Sequence, residues 1–316
     1  MAGFVLSSLL GLANRVLYTR AFGSGAELDA FFAANRLPDI LFNLMAGGAL
    51  ASAFLPTLAS LLAQGDRDRA WRLTSGVANL LVVALGLAAG LLALGAPWLV
   101  RYVLAPGFRD PAQIQLAASL LRIQLAAPIL FGLSGLLMAT LNAHQLFRWP
   151  ALAPAFHWLG WILATLLLVP RVGIHGLAWG VVLGAGLHLA IQLPGLRSLR
   201  PRYTLTAGRN DPLVRQVGRL MAPRLIGVGV VQLNFLVNLI LASGMPEGSL
   251  TGLTLGFAIM LMPQVVIAQA AAVAALPTFS SQAARGEWGE LRRSLAGTLR
   301  GVIYLSLPAG LGLILL

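Results

Sequence analysis

The feature that most constrains this chain is a succession of apolar runs, each about 20 residues or longer, joined by short loops that hold most of the charge. As a helix, a run of that length crosses a hydrocarbon core of roughly 30 Å and satisfies its own backbone hydrogen bonds where water cannot. Such runs fall at 3–21, 28–62, 74–104, 113–142, 150–170, 174–195, 213–242, 249–283 and 289 to the end of the 316 residues. The expected fold is therefore all-α, a polytopic membrane protein with about eight complete transmembrane helices and a partial ninth. Only 10% of residues are charged, against roughly a quarter in soluble domains, so a water-soluble fold could not solvate its own surface. The first run has no basic stretch before it and leads directly into others, which reads as a membrane helix and not a cleaved signal.

The second and eighth runs are too long for one straight crossing. They carry breakers, Pro38, Gly47-Gly48 and Pro56 in one and Pro263 and Pro277 in the other, so kinked or partly unwound helices are expected there.

All 22 basic residues are arginine, set against 10 acids for a net charge of +12. In a soluble protein this balance would suggest nucleic acid, but here the arginines lie mostly in short loops, where they set membrane orientation. Loops after even-numbered runs hold Arg67, Arg69 and Arg72, then Arg148, then Arg197, Arg200, Arg202 and Arg209, then Arg285, Arg292 and Arg293. Loops after odd-numbered runs hold chiefly Arg20, Arg101 with Arg109, and Arg171. The richer side is cytoplasmic by the positive-inside rule, which puts the N-terminus inside.

The absence of cysteine and lysine excludes disulfides, thiolate chemistry and Schiff bases. His144, His157, His175 and His188 lack metal-ligand spacing, and no P-loop, nucleophile elbow or zincin motif is present, so neither a metal site nor an enzyme is expected. A glycolipid transferase would need an acidic cluster in a large aqueous loop, whereas the longest loop, about 198 to 212, holds only Asp211.

A repeat is visible. Phe54-Leu55-Pro56-Thr57, Gly65 and Arg72 recur as Ala275-Leu276-Pro277-Thr278, Gly286 and Arg293, each pair 221 residues apart. Direct repeats of one orientation mark two-lobed transporters. The simplest division is a six-helix lobe over 1–197, an Arg-rich cytoplasmic connector over 198–212, and the beginning of a second lobe over 213–316. On this offset Leu316 corresponds to Gly95, so the second lobe is expected to lack its last three helices.

Ionisable residues deep in a bilayer are expensive and usually face a partner or an aqueous cavity. Asp29, Arg36, Asp39 and Asn43 lie at helical spacings along one stripe of the second run, and Ser7, Gly11, Asn14, Arg15 and Tyr18 form a polar, small-residue face on the first. One reading makes Arg15, Arg20 and Arg36 snorkelling side chains, with Asp29 and Asp39 as their ion-pair partners. The other makes Arg15 and Arg36 contacts for phosphate oxygens in a cavity, since guanidinium is planar and permanently charged. Gln232, Asn234, Asn238, Gln264 and Gln269 suit interhelical hydrogen bonding, and Arg224 stands at the cytoplasmic end of the seventh run.

The stretch Leu28-Asp29-Ala30-Phe31-Phe32-Ala33-Ala34-Asn35-Arg36-Leu37-Pro38-Asp39, with Gly47-Gly48-Ala49 and Ala53-Phe54-Leu55-Pro56 after it, resembles the MurJ (MviN) lipid II flippases of the MOP exporter superfamily. The resemblance continues through Ala96-Pro97-Trp98, Ala105-Pro106-Gly107-Phe108, Leu141-Asn142-Ala143, Pro154, Gln192-Leu193-Pro194 and Leu276-Pro277-Thr278, and so covers essentially the whole chain. It implies a MOP-type two-lobed bundle in the bacterial plasma membrane. It also implies a flippase that carries the undecaprenyl-pyrophosphate-linked peptidoglycan precursor from the cytoplasmic to the outer leaflet by alternating access. Membrane lipids and cell-wall synthesis proteins are the other implied partners, with no cofactor beyond a coupling ion, Na+ or H+. Arg15, Arg36, Asn14 and Asn43 become candidate pyrophosphate or cavity residues, and Asp29 and Asp39 charge partners or coupling sites.

The chain departs from the family's pattern in the cavity. Ser8 and Asn14 stand where the first helix commonly has arginines, Phe42 and Asn43 where the second has paired basic residues, Gly47 in place of an acid and Ala258 in place of an arginine. Two alternatives follow: a related MOP exporter of another polyprenyl-linked glycan or a drug, or a non-transporting scaffold.

Overall fold

The computed structural model of the protein describes residues 2–46, 49–205 and 211–314. Gly47-Gly48 and Arg209 lie outside the described residues. In chain order the helices are α1 (Ala2–Phe22), α2 (Ala26–Ala46), α3 (Ala49–Ala63), α4 (Arg67–Leu94), α5 (Ala96–Leu99), α6 (Pro111–Gln124), α7 (Ala127–Ala143) and α8 (Arg148–Leu167). After them come α9 (Val169–Val172), α10 (Ile174–Ala190), α11 (Leu193–Ser198), α12 (Pro212–Ser243), α13 (Ser249–Pro263), α14 (Ala270–Ala284) and α15 (Trp288–Ile314). π-helical turns occupy Val100–Leu104 and Gln264–Gln269. The chain forms two compact units, Met1–Thr251 and Gly252–Leu316.

The all-helical expectation holds, and the helix boundaries show which residues interrupt it. α2 runs through Pro38 and α3 through Pro56 without a break. In the eighth run the interruption is the π turn that follows Pro263. Two further breaks occur in runs expected to be continuous. The third run stops at Gly95, just before Pro97, and the fourth stops at Leu125-Ala126, just before Pro128. Proline has no N–H for the carbonyl four residues back and its ring crowds that carbonyl. At Pro97 the carbonyl so deprived is that of Ala93, and Arg122 of α6 donates its Nε–H to it at 3.1 Å. An arginine inside an apolar run thus has a structural use that the loop-by-loop count of charge did not consider.

Among the described residues, five helical stretches suffice by length and composition to cross a membrane: Arg67–Leu94, Pro111–Ala143, Arg148–Leu167, Ile174–Ser198 and Pro212–Ser243. The outward face of α4 bears Leu91 and Leu94 at 71% and 82% exposure. Residues of that kind are tolerable only against lipid.

Inside the first unit two cores can be told apart. One is aromatic and joins α1, α2 and α8, with Trp158 and Trp161 stacked at 5.5 Å, Tyr18 over Trp161 and Phe31 against both Phe32 and Trp161. The other is aliphatic, with Phe54 and Leu58 of α3, Leu73 and Val77 of α4, Leu136 of α7, and Val214, Val217 and Met221 of α12. Between α8 and α10 the backbones themselves touch: a Cβ on Gly160 would lie 2.8 Å from the Gly184 Cα, and one on Gly184 2.6 Å from the His157 carbonyl oxygen. Such contact between small residues gives membrane helices the packing that hydrophobic exclusion cannot supply in lipid.

In the second unit α14 and α15 pack antiparallel-fashion through a tight corner. Gly286 adopts φ +71 there, and Gln282 donates to Ser294 Oγ at 3.0 Å. The exposed Arg285 and Glu287 at this corner pair at 2.8 Å, and the arginine's hydrogen bonds hold the Glu287 carboxyl below its ordinary range.

Candidate functional site

Every intramembrane charge singled out on the second run lies on α2, and each has a different neighbour. Asp29 sits in the first turn and is buried. Its carboxylate accepts hydrogen bonds from the Gly248 N–H at 2.7 Å, the Thr251 N–H at 2.7 Å and the Thr251 hydroxyl at 2.6 Å. These donors belong to the start of α13, whose first N–H groups have no partners within their own helix. Asp29 is an N-cap supplied from more than 200 residues away, and the positive end of the helix favours its charge.

The loop that Asp29 holds is fixed at two more places. Gly248 has φ +87, a conformation that side chains resist, and its Cα faces the Ser24 carbonyl so closely that a Cβ would come within 2.9 Å of that oxygen. At the other end of the loop the Gly107 N–H donates to Ser243 Oγ at 3.1 Å, and a Cβ on Gly107 would lie 2.2 Å from the Gly244 nitrogen. Residues 243–251 are therefore clasped between the α1–α2 turn and the loop before α6. Gln113 of α6 reinforces that end by donating to the Ala26 carbonyl at 3.2 Å.

Arg36 lies two turns further along α2 and is half-buried. Its Nη2 donates to the Gln232 side-chain oxygen at 2.7 Å and to the Gln232 main-chain carbonyl at 3.0 Å. The guanidinium also lies over the Phe235 ring, 5.2 Å from its centroid. Its Nε–H is buried and finds no acceptor among the described residues. Arg36 thus meets α12 with one edge of its fork engaged and another donor unspent. Asp39 is one turn on. Its main-chain carbonyl accepts the Asn43 amide at 2.8 Å, so that amide is committed to its own helix. The four ion pairs among the described residues, Arg69–Asp66, Arg202–Asp68, Arg285–Glu287 and Arg293–Glu290, include neither Arg36 nor Asp39.

On α1 the polar face has a different neighbour. Ser7, Asn14 and Tyr18 are buried, and Gly11 faces the Trp158 ring of α8, which a Cβ would meet tightly at 3.0 Å. Asn14 is fully enclosed: its side-chain oxygen is 3.5 Å from the Thr165 hydroxyl of α8, and its amide nitrogen has no acceptor among the described residues. Arg15 is half-buried beside Tyr18. The structure thus joins Arg36 and Asp29 to the α12–α13 segment and joins Asn14 to α8. Phe42 packs tilted against Phe131 with ring centroids 4.4 Å apart, and Phe131 in turn makes edge contacts with His157 and His188. Its position carries hydrocarbon into the lobe, where a basic side chain would need water or an acid.

Three participants do not stand out as site residues in the sequence. Gln232 was noted only as a polar residue of the seventh run, and its separation from Arg36 by 196 positions hides the pairing. Gly248 and Thr251 bind Asp29 mostly through main-chain N–H groups, which leave no mark in the residue identities.

A family model described as lipid II flippase MurJ matches residues 18–316. Among curated relatives, the lipid II flippase MurJ of Burkholderia cenocepacia is 31% identical over 99% of this chain and 62% of its own length. A probable lipid II flippase MurJ of Bdellovibrio bacteriovorus is 32% identical over 100% of this chain and 61% of its own. The chain therefore spans about three fifths of these relatives. Among solved structures, a lipid II flippase MurJ in an inward closed conformation superposes with a TM-score of 0.83 at 24% identity, covering 99% of this chain and 64% of that one. An inward-facing multidrug resistance MATE family transporter of the MOP superfamily superposes with 0.76 at 15% identity, covering 96% and 68%. The family model over residues 18–316 and curated relatives matched along nearly the whole chain converge on one assignment: this multi-pass membrane protein belongs to the MurJ family of lipid II flippases.

Proposed function

We propose that the protein acts in moving lipid II, the undecaprenyl-pyrophosphate-linked peptidoglycan precursor, from the cytoplasmic to the outer leaflet of the bacterial plasma membrane by alternating access. Its N-terminus is cytoplasmic in this reading, which follows the arginine-rich loops. The clasp on residues 243–251 then lies on the outer side and closes that end, while Arg36 stands deeper in the membrane. The observation that carries the reading is Arg36 itself: a permanent cation midway along α2, hydrogen-bonded to a neutral glutamine and in no ion pair among the described residues, with a donor to spare. Such a group is suited to a phosphate oxygen, and an incoming pyrophosphate would displace Gln232 and not a competing carboxylate. Arg15 is the second cation of this reading, Asn14 and Asn43 line the same helices, and Asp39 balances charge or takes the coupling ion, Na+ or H+.

Arg36→Gln is expected to lower lipid II translocation in proteoliposomes by roughly 10- to 100-fold, the loss of one charge-assisted contact. Arg36→Lys should retain an intermediate rate, since it keeps the charge without the fork. Unchanged translocation by the glutamine variant would remove Arg36 from the binding role. A second reading has support from Phe42, whose packing on Phe131 puts hydrocarbon where the family's usual set has a basic residue: the cargo is a different polyprenyl-linked glycan, and competition between lipid II and that glycan in the same assay separates the two.

A further inference from the structure

At the end of the first unit that bears Arg67 and Arg200, two cavities share a single wall. The first, about 300 Å3, is lined by α4, α7, α10 and α11, with Leu133, Leu136, Leu137, Leu189, Leu193 and Leu196 among its residues. The polar groups on its wall are directed elsewhere. Thr74 donates to the Ala70 carbonyl at 2.9 Å, Thr140 to the Leu136 carbonyl at 2.9 Å, and Ser75 Oγ receives the Thr204 N–H at 3.2 Å. What remains facing the cavity is hydrocarbon.

The second cavity, about 700 Å3, lies at the helix ends, beyond the N-terminus of α4 and the C-termini of α7 and α11. Its lining includes Arg67, Arg200, Arg202, Asp66, Asp68 and His144. The two acids are already engaged. Asp68 pairs with Arg202 at 2.8 Å, and Asp66 caps α4 through the Arg69 N–H at 3.0 Å. Arg67 and Arg200 enter no ion pair among the described residues. Trp71 borders both cavities and stacks on His144 at 6.1 Å, and an amphipathic ring of this kind suits a membrane interface. Pro201 to Leu205 lie across the outside as a strap, tied to α4 where Tyr203 donates to Asn79 and Asn79 donates to the Thr204 carbonyl.

A hydrocarbon slot that shares Trp71 with a neighbouring chamber, where two guanidinium groups enter no ion pair among the described residues, has the polarity of a phospholipid. We propose that this site binds one anionic glycerophospholipid of the adjacent leaflet, with its headgroup phosphate between Arg67 and Arg200 and part of an acyl chain among the leucines of α7, α10 and α11. The charge complementarity selects an anionic over a zwitterionic headgroup, and the strap at 201–205 joins the occupied site to the segment leading into α12. The site lies apart from Arg36 and Asp29, and the proposal does not depend on what the protein transports.

The test is native mass spectrometry of the purified protein, titrated with phosphatidylglycerol or with phosphatidylcholine of identical chains in the absence of lipid II. Phosphatidylglycerol is expected to bind roughly 10-fold more tightly, and the double variant Arg67→Gln, Arg200→Gln to bring it to the phosphatidylcholine level. The Arg67→Lys, Arg200→Lys pair should stay within roughly 3-fold of the parent, because the charge is kept. Both residues are exposed, and unchanged melting temperatures of the variants would show that the fold is retained. Equal affinity for the two lipids, undiminished phosphatidylglycerol binding by the glutamine pair, or displacement of the lipid by inorganic phosphate would each overturn the proposal. Because nothing in this experiment is translocated, its failure leaves the flippase reading where it stood.

Discussion

Asp29→Ala is expected to free the segment over residues 243–251. The variant removes a buried carboxylate that accepts three hydrogen bonds and leaves the Gly248 and Thr251 N–H groups without partners at a helix start. A hydrogen bond to a charged group contributes about 1.5–3 kcal/mol and loss of an N-cap costs about 0.5–2 kcal/mol, but the three bonds act as one unit and do not add. A net change of about 3 kcal/mol in the opening equilibrium corresponds to roughly 100-fold. The absence of cysteine makes the measurement direct. A single cysteine in place of Leu250, 1% exposed, would be the sole thiol, and its labelling by a membrane-impermeant maleimide should accelerate at least roughly 10-fold when Asp29→Ala is added. Asp29→Asn should fall between the two, since the amide keeps one acceptor. An unaltered labelling rate would mean that the carboxylate does not hold this end closed, and the clasp would then rest on Gly107 and Ser243.

The second large effect belongs to stability. Gly160→Val should destabilise the first unit by about 2–4 kcal/mol, because a Cβ at 160 meets the Gly184 backbone at 2.8 Å and two helices must separate to admit it. A backbone neighbour cannot rotate away as a side chain can. The companion variant Gly186→Val is the control: no atom lies within 4 Å of a Cβ built there. Thermal unfolding in one detergent should place Gly160→Val well below the parent and Gly186→Val close to it. If both variants melt with the parent, α8 and α10 are not held by that crossing.

These two predictions also show where sequence reasoning succeeds and where it stops. The apolar runs made the helices legible because their length is imposed by the bilayer, independently of tertiary packing. Pro97 and Pro128 stood in plain view, yet the breaks they cause were not expected, since prolines are also tolerated within helices, as at Pro38, Pro56 and Pro154. At Pro97 the freed Ala93 carbonyl takes the Arg122 Nε–H, and that partnership is a tertiary fact. Asp29 and Arg36 were recognisable as costly charges on one stripe of α2. Their partners were not, because one stripe serves two destinations, the main-chain donors near Thr251 and the amide of Gln232. Asn14 illustrates the converse: a polar residue legible as intramembrane, whose position on α1 turns it toward Thr165 of α8.

The cap that Asp29 provides has a consequence for how homologous sequences should diverge. Two of its three donors are main-chain groups, and every residue except proline supplies one. Met245, Pro246, Glu247 and Ser249 therefore need not change in step with Asp29, and Thr251 is the sole side chain of the contact that selection could tie to it. Methods that infer spatial proximity from correlated substitution should assign this junction little weight, although it joins two segments of the chain that lie far apart in sequence. Drift in the loop and constancy at the carboxylate would be the same physical arrangement recorded at different positions.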